Sequence, residues 1–186
     1  VASLLLARAK KIGWDSKAGD TESTRLLRRR IFQALADLTR DPWMVRGAIK
    51  RARKLLADPS SVSSDTASIA LQVAARHGEP AAEFSKLVAR LKQAKDPGQR
   101  VHLVQALGSY ADPATLRRSL ALVSDGTIRT QDAIYIFRAA ARWADSRLVF
   151  VEWLQQNLEE MGKRFPMFGI GRMVGTVGRV CDAAVR

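Results

Sequence analysis

His77, His102 and Cys181 are the residues of this sequence best suited to metal or nucleophilic chemistry, and their spacing argues against both. A zinc-peptidase helix carries H-E-x-x-H, which sets two imidazoles one turn apart around the ion. Here the two histidines stand 25 residues apart and neither is followed by Glu. Zinc sites draw on several clustered ligands, so both histidines read as surface or packing residues. Cys181 has no histidine near it in sequence and reads as a small packing residue. No G-x-S-x-G nucleophile elbow and no Walker loop occurs. Gly169-Ile170-Gly171 with Gly175 follows Phe168 rather than a strand, so it fits close helix packing better than a nucleotide-binding turn. Glu159-Glu160 point in different helical directions and form a solvated surface, not an acid/base dyad.

The basic residues carry two readings. Arg25, Arg28 and Arg29 form one helical stripe, and Lys50, Arg51, Arg53 and Lys54 form a second cluster. As a solvated or domain-docking face they need no ligand. As a phosphate-binding face they would displace counterions from nucleic acid. Trp14 and Trp43 are isolated in sequence, so a single-strand stacking platform has little support and nucleic acid is the weaker partner.

The elements that must position these residues are helical. Ala and Leu far outnumber Val, Ile and Tyr, and no segment alternates with period two. Leu27, Ile31, Leu35 and Leu38 share a face at helical spacing, as do Leu116, Leu120 and Val123, and Phe150, Leu154, Leu158 and Met161. Five of the six prolines follow an acid: Asp41-Pro42, Asp58-Pro59, Glu79-Pro80, Asp96-Pro97 and Asp112-Pro113. Asp can accept the free amides of a first turn, and Pro has no amide to satisfy there. Their spacing, one helix plus a turn, predicts helices at 2–12, 21–39, 42–57, 64–77, 80–94, 97–110, 113–124, 131–144, 147–164 and 170–180. Asp58-Pro59 is the exception, with serines around it that predict a loop. Gly13 and Gly78 read as stop signals, Asp125-Gly126 as a turn, and Thr130 as a cap. Short helices at this interval stack as antiparallel pairs, so the expected fold is all-α, a HEAT- or armadillo-like α-solenoid.

With 186 residues, 47% hydrophobic and 26% charged, the chain suits one folded, elongated domain spanning 1–186. No apolar run is long enough for a membrane span. The start at Val1, with no basic leader, predicts an excised piece of a longer chain. A single cysteine excludes an internal disulfide and leaves the compartment open between cytoplasm and periplasm. The net charge of +13 is concentrated in residues 1–54, which carry +9, a surface for a polyanion or for an acidic neighbouring domain.

Residues 106–172 carry a family pattern. Ala106-Leu107-Gly108, Asp112-Pro113, Leu120 and Ile128-Arg129-Thr130-Gln131-Asp132 resemble the C-terminal helical domain of gluzincin zinc aminopeptidases, typified by aminopeptidase N and puromycin-sensitive aminopeptidase. Trp153-Leu154, Asn157, Leu158, Lys163-Arg164-Phe165 and Arg172 continue the resemblance, and Gly13-Trp14-Asp15 through Gly19-Asp20 to Leu27-Arg28 extends it to the start. Phe165-Pro166-Met167 departs from it, standing where many relatives have a Gly-rich turn. The resemblance implies a parent enzyme that removes N-terminal residues from peptides through a zinc-activated water. Zinc and every catalytic residue would then belong to a catalytic domain upstream in the same chain. The helical domain would enclose the active-site chamber, contact peptide substrate and carry no catalytic group and no metal. On this resemblance Arg129, Gln131, Tyr135, Arg138 and Arg142 are the candidate substrate-binding residues, with Arg138 and Arg142 four apart on one helical face. The plainer alternative for Arg129, Gln131 and Asp132 is bracing of the loop before the helix. A HEAT-like nucleic-acid-binding module and a protein-interaction scaffold are the rival functions.

Overall fold

A computed structural model describes residues 1–165 and Gly175. Within them are nine α-helices and two single 3-10 turns, and no strand. The helices are α1 (Ala2–Ile12), α2 (Glu22–Leu38), α3 (Pro42–Ala57), α4 (Ser64–His77), α5 (Pro80–Gln93), α6 (Pro97–Leu107), α7 (Pro113–Ser124), α8 (Ala133–Ala140) and α9 (Ala144–Arg164). The expected helix at 170–180, the departure at Pro166-Met167, Arg172 and Cys181 all lie outside the described residues.

The acid-Pro pairs start helices for the reason their chemistry gives. The Asp41 carboxylate accepts the Trp43 and Met44 amides, Asp96 accepts Gln99, and Asp112 accepts Thr115. Asp58 does the same for Ser60, but there the turn is only the 3-10 segment Pro59–Ser61. Glu79 keeps the position before Pro80 without capping through its side chain. Thr130 does not cap α8. It opens a 3-10 turn, Thr130–Asp132, in which the Asp132 amide, followed by that of Ala133, folds back on the Arg129 carbonyl. Gly13 ends α1 with φ at +80°, a conformation that favours glycine.

Packing between elements shows the expected solenoid as two rows. The even helices α2, α4, α6 and α8 pack in sequence as one row, and α3, α5, α7 and α9 pack as the other, with α1 against α2. α4 sits in the middle, touching α2, α3, α5 and α6, and buries an almost continuous run from Thr66 to Ala75. The main core joins α3 to α9 around Tyr110, Phe137, Phe150 and Leu120. A second core joins α1, α2, α3 and α4 around Trp14, Phe32, Leu35 and Met44.

The structure corrects two helical faces. On α2 the buried stripe is Arg28, Ile31, Phe32, Leu35 and Ala36, while Leu27 and Leu38 are 41% and 54% exposed. On α9 Leu158 is exposed and Met161 buried, because the stripe through Phe150 and Leu154 returns through the half-buried Asn157. Both errors have one cause: a polar residue holds the core-facing position.

Candidate functional site

The five residues expected to meet substrate lie on the last even-row helix and its flanks. Arg129, Gln131 and Arg138 are exposed, and Tyr135 is half-buried against the main core. Neither Arg129 nor Arg138 has an ion-pair partner among the described residues. The Arg129 carbonyl accepts the Asp132 and Ala133 amides, so its backbone braces the turn while its guanidinium stands clear. Asp132 is buried and takes the Arg100 guanidinium at 3.2 Å, tying the turn to α6. That is the bracing role for Asp132.

Arg142 is not on a shared helical face with Arg138. The single expected helix 131–144 is split: α8 ends at Ala140, residues 141–143 form a turn, and α9 begins at Ala144. No Gly or Pro marks the break. Side chains from α9 make it, since the Ser146 hydroxyl donates to the Ala140 carbonyl and Arg147 Nε donates to the Ala141 carbonyl. These bonds satisfy orphan carbonyls at the end of α8.

Freed from the helix, Arg142 reaches across the even row. Its guanidinium makes a two-pronged pair with Asp37 on α2 at 2.7 Å per contact, and Nη1 donates to Gln72 on α4 at 3.0 Å. Gln72 donates to Ser68, and Ser68 donates to Gln105 on α6. This polar string binds the first and last even helices to the two between them. The Arg142 and Arg76 guanidiniums lie 4.9 and 4.3 Å from the Trp143 ring, so the indole joins two cations. Arg76 donates to both Asp145 oxygens at 2.8 Å. Burial pushes the Asp145 carboxyl up, but the Arg76 and Ser146 hydrogen bonds outweigh it and hold the group below the usual carboxylate range. Burial, with Arg76 and Arg40 alongside, holds the His77 imidazole below its ordinary value. Asp37, Arg40, Arg76, His77 and Trp143 line a cleft of about 200 Å³ here. Sequence reasoning missed Trp143, although the run Arg142-Trp143-Ala144-Asp145 sets cation, ring and acid side by side.

The basic stripes also need correction. Arg28 is fully buried. Its Nη2 lies 2.6 Å from Asp20, Nη1 lies 3.8 Å from Asp65, and Nε donates to the Gly13 carbonyl. It is an internal anchor, not a phosphate-binding or solvated residue. Arg51 pairs with Asp15. Trp14 and Trp43 are not isolated either: their rings lie 6.4 Å apart, with Phe32 between the α1–α2 turn and α3.

Glu83 is the one buried carboxylate whose oxygen, Oε1, lacks any hydrogen-bond donor among the described residues. Burial raises its pKa, against the exposed Arg53 at 3.8 Å. A raised native pKa means the folded state holds more protons than the unfolded state, so this contribution to stability is full below the ordinary glutamate value and is lost as pH rises through the native one. Glu83→Gln is expected to leave the melting temperature near pH 4 unchanged and to raise it at pH 7 relative to the parent chain. A pH series of thermal melts checks this, and equal melting curves at both pH values would contradict it.

Among the described residues no group of three or more His, Cys, Asp or Glu side chains could hold a metal ion, and no helix is long and apolar enough to cross a membrane.

Comparison with known proteins places this helical chain in a family. The family model described as ERAP1-like C-terminal domain matches residues 1–185. Aminopeptidase M1 of Arabidopsis thaliana is 26% identical over 176 residues, which is 91% of this chain and 20% of the relative. Aminopeptidase 2, mitochondrial, of Saccharomyces cerevisiae is 24% identical over 180 residues, 94% of this chain and 19% of the relative. Aminopeptidase M1-D of Oryza sativa subsp. japonica is 25% identical over 165 residues, 87% of this chain and 19% of the relative. The chain spans about a fifth of the length of the curated relatives it matches.

Proposed function

Because the chain belongs to the ERAP1-like C-terminal domain family, we propose that residues 1–186 are a single helical domain at the C-terminal end of a longer zinc aminopeptidase that removes N-terminal residues from peptides. The observation that carries the reading is the family match along residues 1–185, joined to relatives that are named aminopeptidases and are about five times as long. The catalytic domain of the same chain supplies zinc and the chemistry. This domain encloses the active-site chamber and governs how peptides enter it.

Arg129, Gln131, Tyr135, Arg138 and Arg142 contribute to the chamber wall. Arg129 and Arg138 bring exposed guanidiniums with no ion-pair partner among the described residues, which attract the C-terminal carboxylate of a long peptide. Arg142 is neutralised by Asp37 and holds the wall's shape through α2 and α4. The nucleic-acid reading loses support from Arg28 and Arg51, since both are paired with carboxylates of this chain, Arg28 in the interior and Arg51 at the surface.

The chain mixed with zinc and an aminoacyl reporter is expected to show no hydrolysis, whereas the full-length parent enzyme turns the reporter over. Zinc-dependent turnover by the chain itself, abolished by chelator, would contradict the division of labour.

A further inference from the structure

The charge at the start of the chain gathers around a cleft that the chamber reading does not use. The α1–α2 turn and one face of α3 enclose about 450 Å³ between Trp14, Lys17, Trp43, Arg46 and Lys50. Lys17, Arg46 and Lys50 are exposed, and none has an ion-pair partner among the described residues. The one acid in the lining, Asp15, is already held by Arg51. The cleft is therefore a pocket whose lining carries more positive than negative charge, with aromatic walls. The Arg51 guanidinium lies 5.2 Å from the Trp14 ring, and Lys10 Nζ lies 6.0 Å from the Trp43 ring.

A second, independent feature points to what the pocket takes. Trp14 is 4% exposed, and its indole Nε1 has no acceptor among the described residues. It lies against Gly47, where a side-chain carbon would overlap it, so the absence of a Cβ is what lets the indole N–H sit on this wall. A buried N–H without an acceptor costs free energy on the order of 1–3 kcal/mol. The nitrogen is closed off against Gly47, so an oxygen in the cleft reaches it when the indole tilts off that glycine; that contact would satisfy the N–H, and a charged oxygen would also answer the three exposed cations.

We propose that this cleft binds a small ligand through an oxyanion group, a carboxylate or a phosphate, which accepts the Trp14 indole N–H and is ringed by Lys17, Arg46 and Lys50. The inference rests on the α1–α3 end of the molecule and does not depend on the chamber reading. It also gives the +9 of residues 1–54 a focus, because Arg28 and Arg51 are paired with carboxylates of this chain while these three have no ion-pair partner among the described residues.

The test is a nitrogen–proton spectrum of the chain, titrated separately with inorganic phosphate and with succinate at constant ionic strength. The Trp14 indole signal is assigned by its loss in Trp14→Phe. A saturable shift of that signal with either probe is expected, and the probe that produces it identifies phosphate or carboxylate chemistry. Arg46→Ala with Lys50→Ala, both on exposed positions, is expected to weaken binding by roughly tenfold or more without lowering the melting temperature. The proposal is overturned if the indole signal stays still with both probes, if sodium chloride alone reproduces the shift, or if only a nucleic-acid duplex moves it with steep salt dependence. Unchanged affinity in the Arg46/Lys50 variant would overturn it as well.

Discussion

Arg28→Ala is expected to lower stability by about 3 kcal/mol, the scale of breaking a buried ion pair from one side. In a chain of this length that is a fall of roughly 6–12 °C in melting temperature. The guanidinium is fully buried and serves Asp20, Asp65, Ser16 and the Gly13 carbonyl at once. Removing it leaves the two carboxylates facing each other's field with no cation between them. It also removes one of the ties between the α1–α2 turn and α4, leaving those of Thr66 to the Trp14 carbonyl and of Ser16 to Asp65. Lys cannot replace it, because one ammonium cannot span those partners as the planar fork does. Arg29→Ala is the control. Arg29 is 54% exposed and stands 3.8 Å from Asp65, so its loss is expected to change stability by no more than about 0.5 kcal/mol. Urea unfolding of the two variants checks the pair, and equal midpoints would show that Arg28 is not an internal anchor.

Gly108→Val is expected to cost about 3 kcal/mol through overpacking. Gly108 follows α6 with ordinary backbone angles, φ −80° and ψ −4°, so backbone strain is not the reason it is glycine. The reason is proximity. A Cβ there would meet the Ile136 carbonyl oxygen at 2.5 Å and the Ala139 Cβ at 2.8 Å. The end of α6 crosses α8 backbone to backbone, and a branched side chain would wedge the even row apart beside Phe137. Gly126→Ala makes the comparison sharp. Gly126 has φ at +81° and open space around it, so its cost is strain alone, roughly 1 kcal/mol. A Gly108→Val variant with the parent unfolding midpoint would mean that α6 and α8 are not in this contact.

How much of this was legible in the sequence depended mostly on whether a feature was local. Pro42, Pro80, Pro97 and Pro113 mark the first residues of α3, α5, α6 and α7, because the amide missing from proline is a property of the residue itself. The all-α solenoid followed from those intervals. The break between α8 and α9 is local and was still not legible, since it is made by side-chain bonds from Ser146 and Arg147 to carbonyls six residues back, which no Gly or Pro announces. Leu27, Leu38 and Leu158 were assigned to the core by hydrophobicity. A buried Arg28 and a half-buried Asn157, which donates to the Trp153 carbonyl, hold those stripes instead. The resemblance supplied the five proposed wall residues, but the sequence did not show the fate of each charge. Arg142 looks like Arg138 in sequence, yet Asp37 neutralises it from 105 residues away. The basic stripe failed for the same reason: partners that decide whether an arginine is free are distant in sequence.

The measurement that bears most directly on the chamber account is a peptide-length series in the full-length parent enzyme, comparing kcat/KM for the unchanged protein and for Arg129→Ala with Arg138→Ala. These two positions are exposed and have no ion-pair partner among the described residues, so the substitutions leave the Arg142 brace intact. The account predicts an unchanged rate on an aminoacyl reporter and a loss of about tenfold on long peptides, equivalent to about 1.4 kcal/mol of carboxylate attraction. Amidating the peptide C-terminus should erase the difference. Rates that stay parallel to the unchanged enzyme at every length would contradict the claim that this helical surface receives the far end of the substrate.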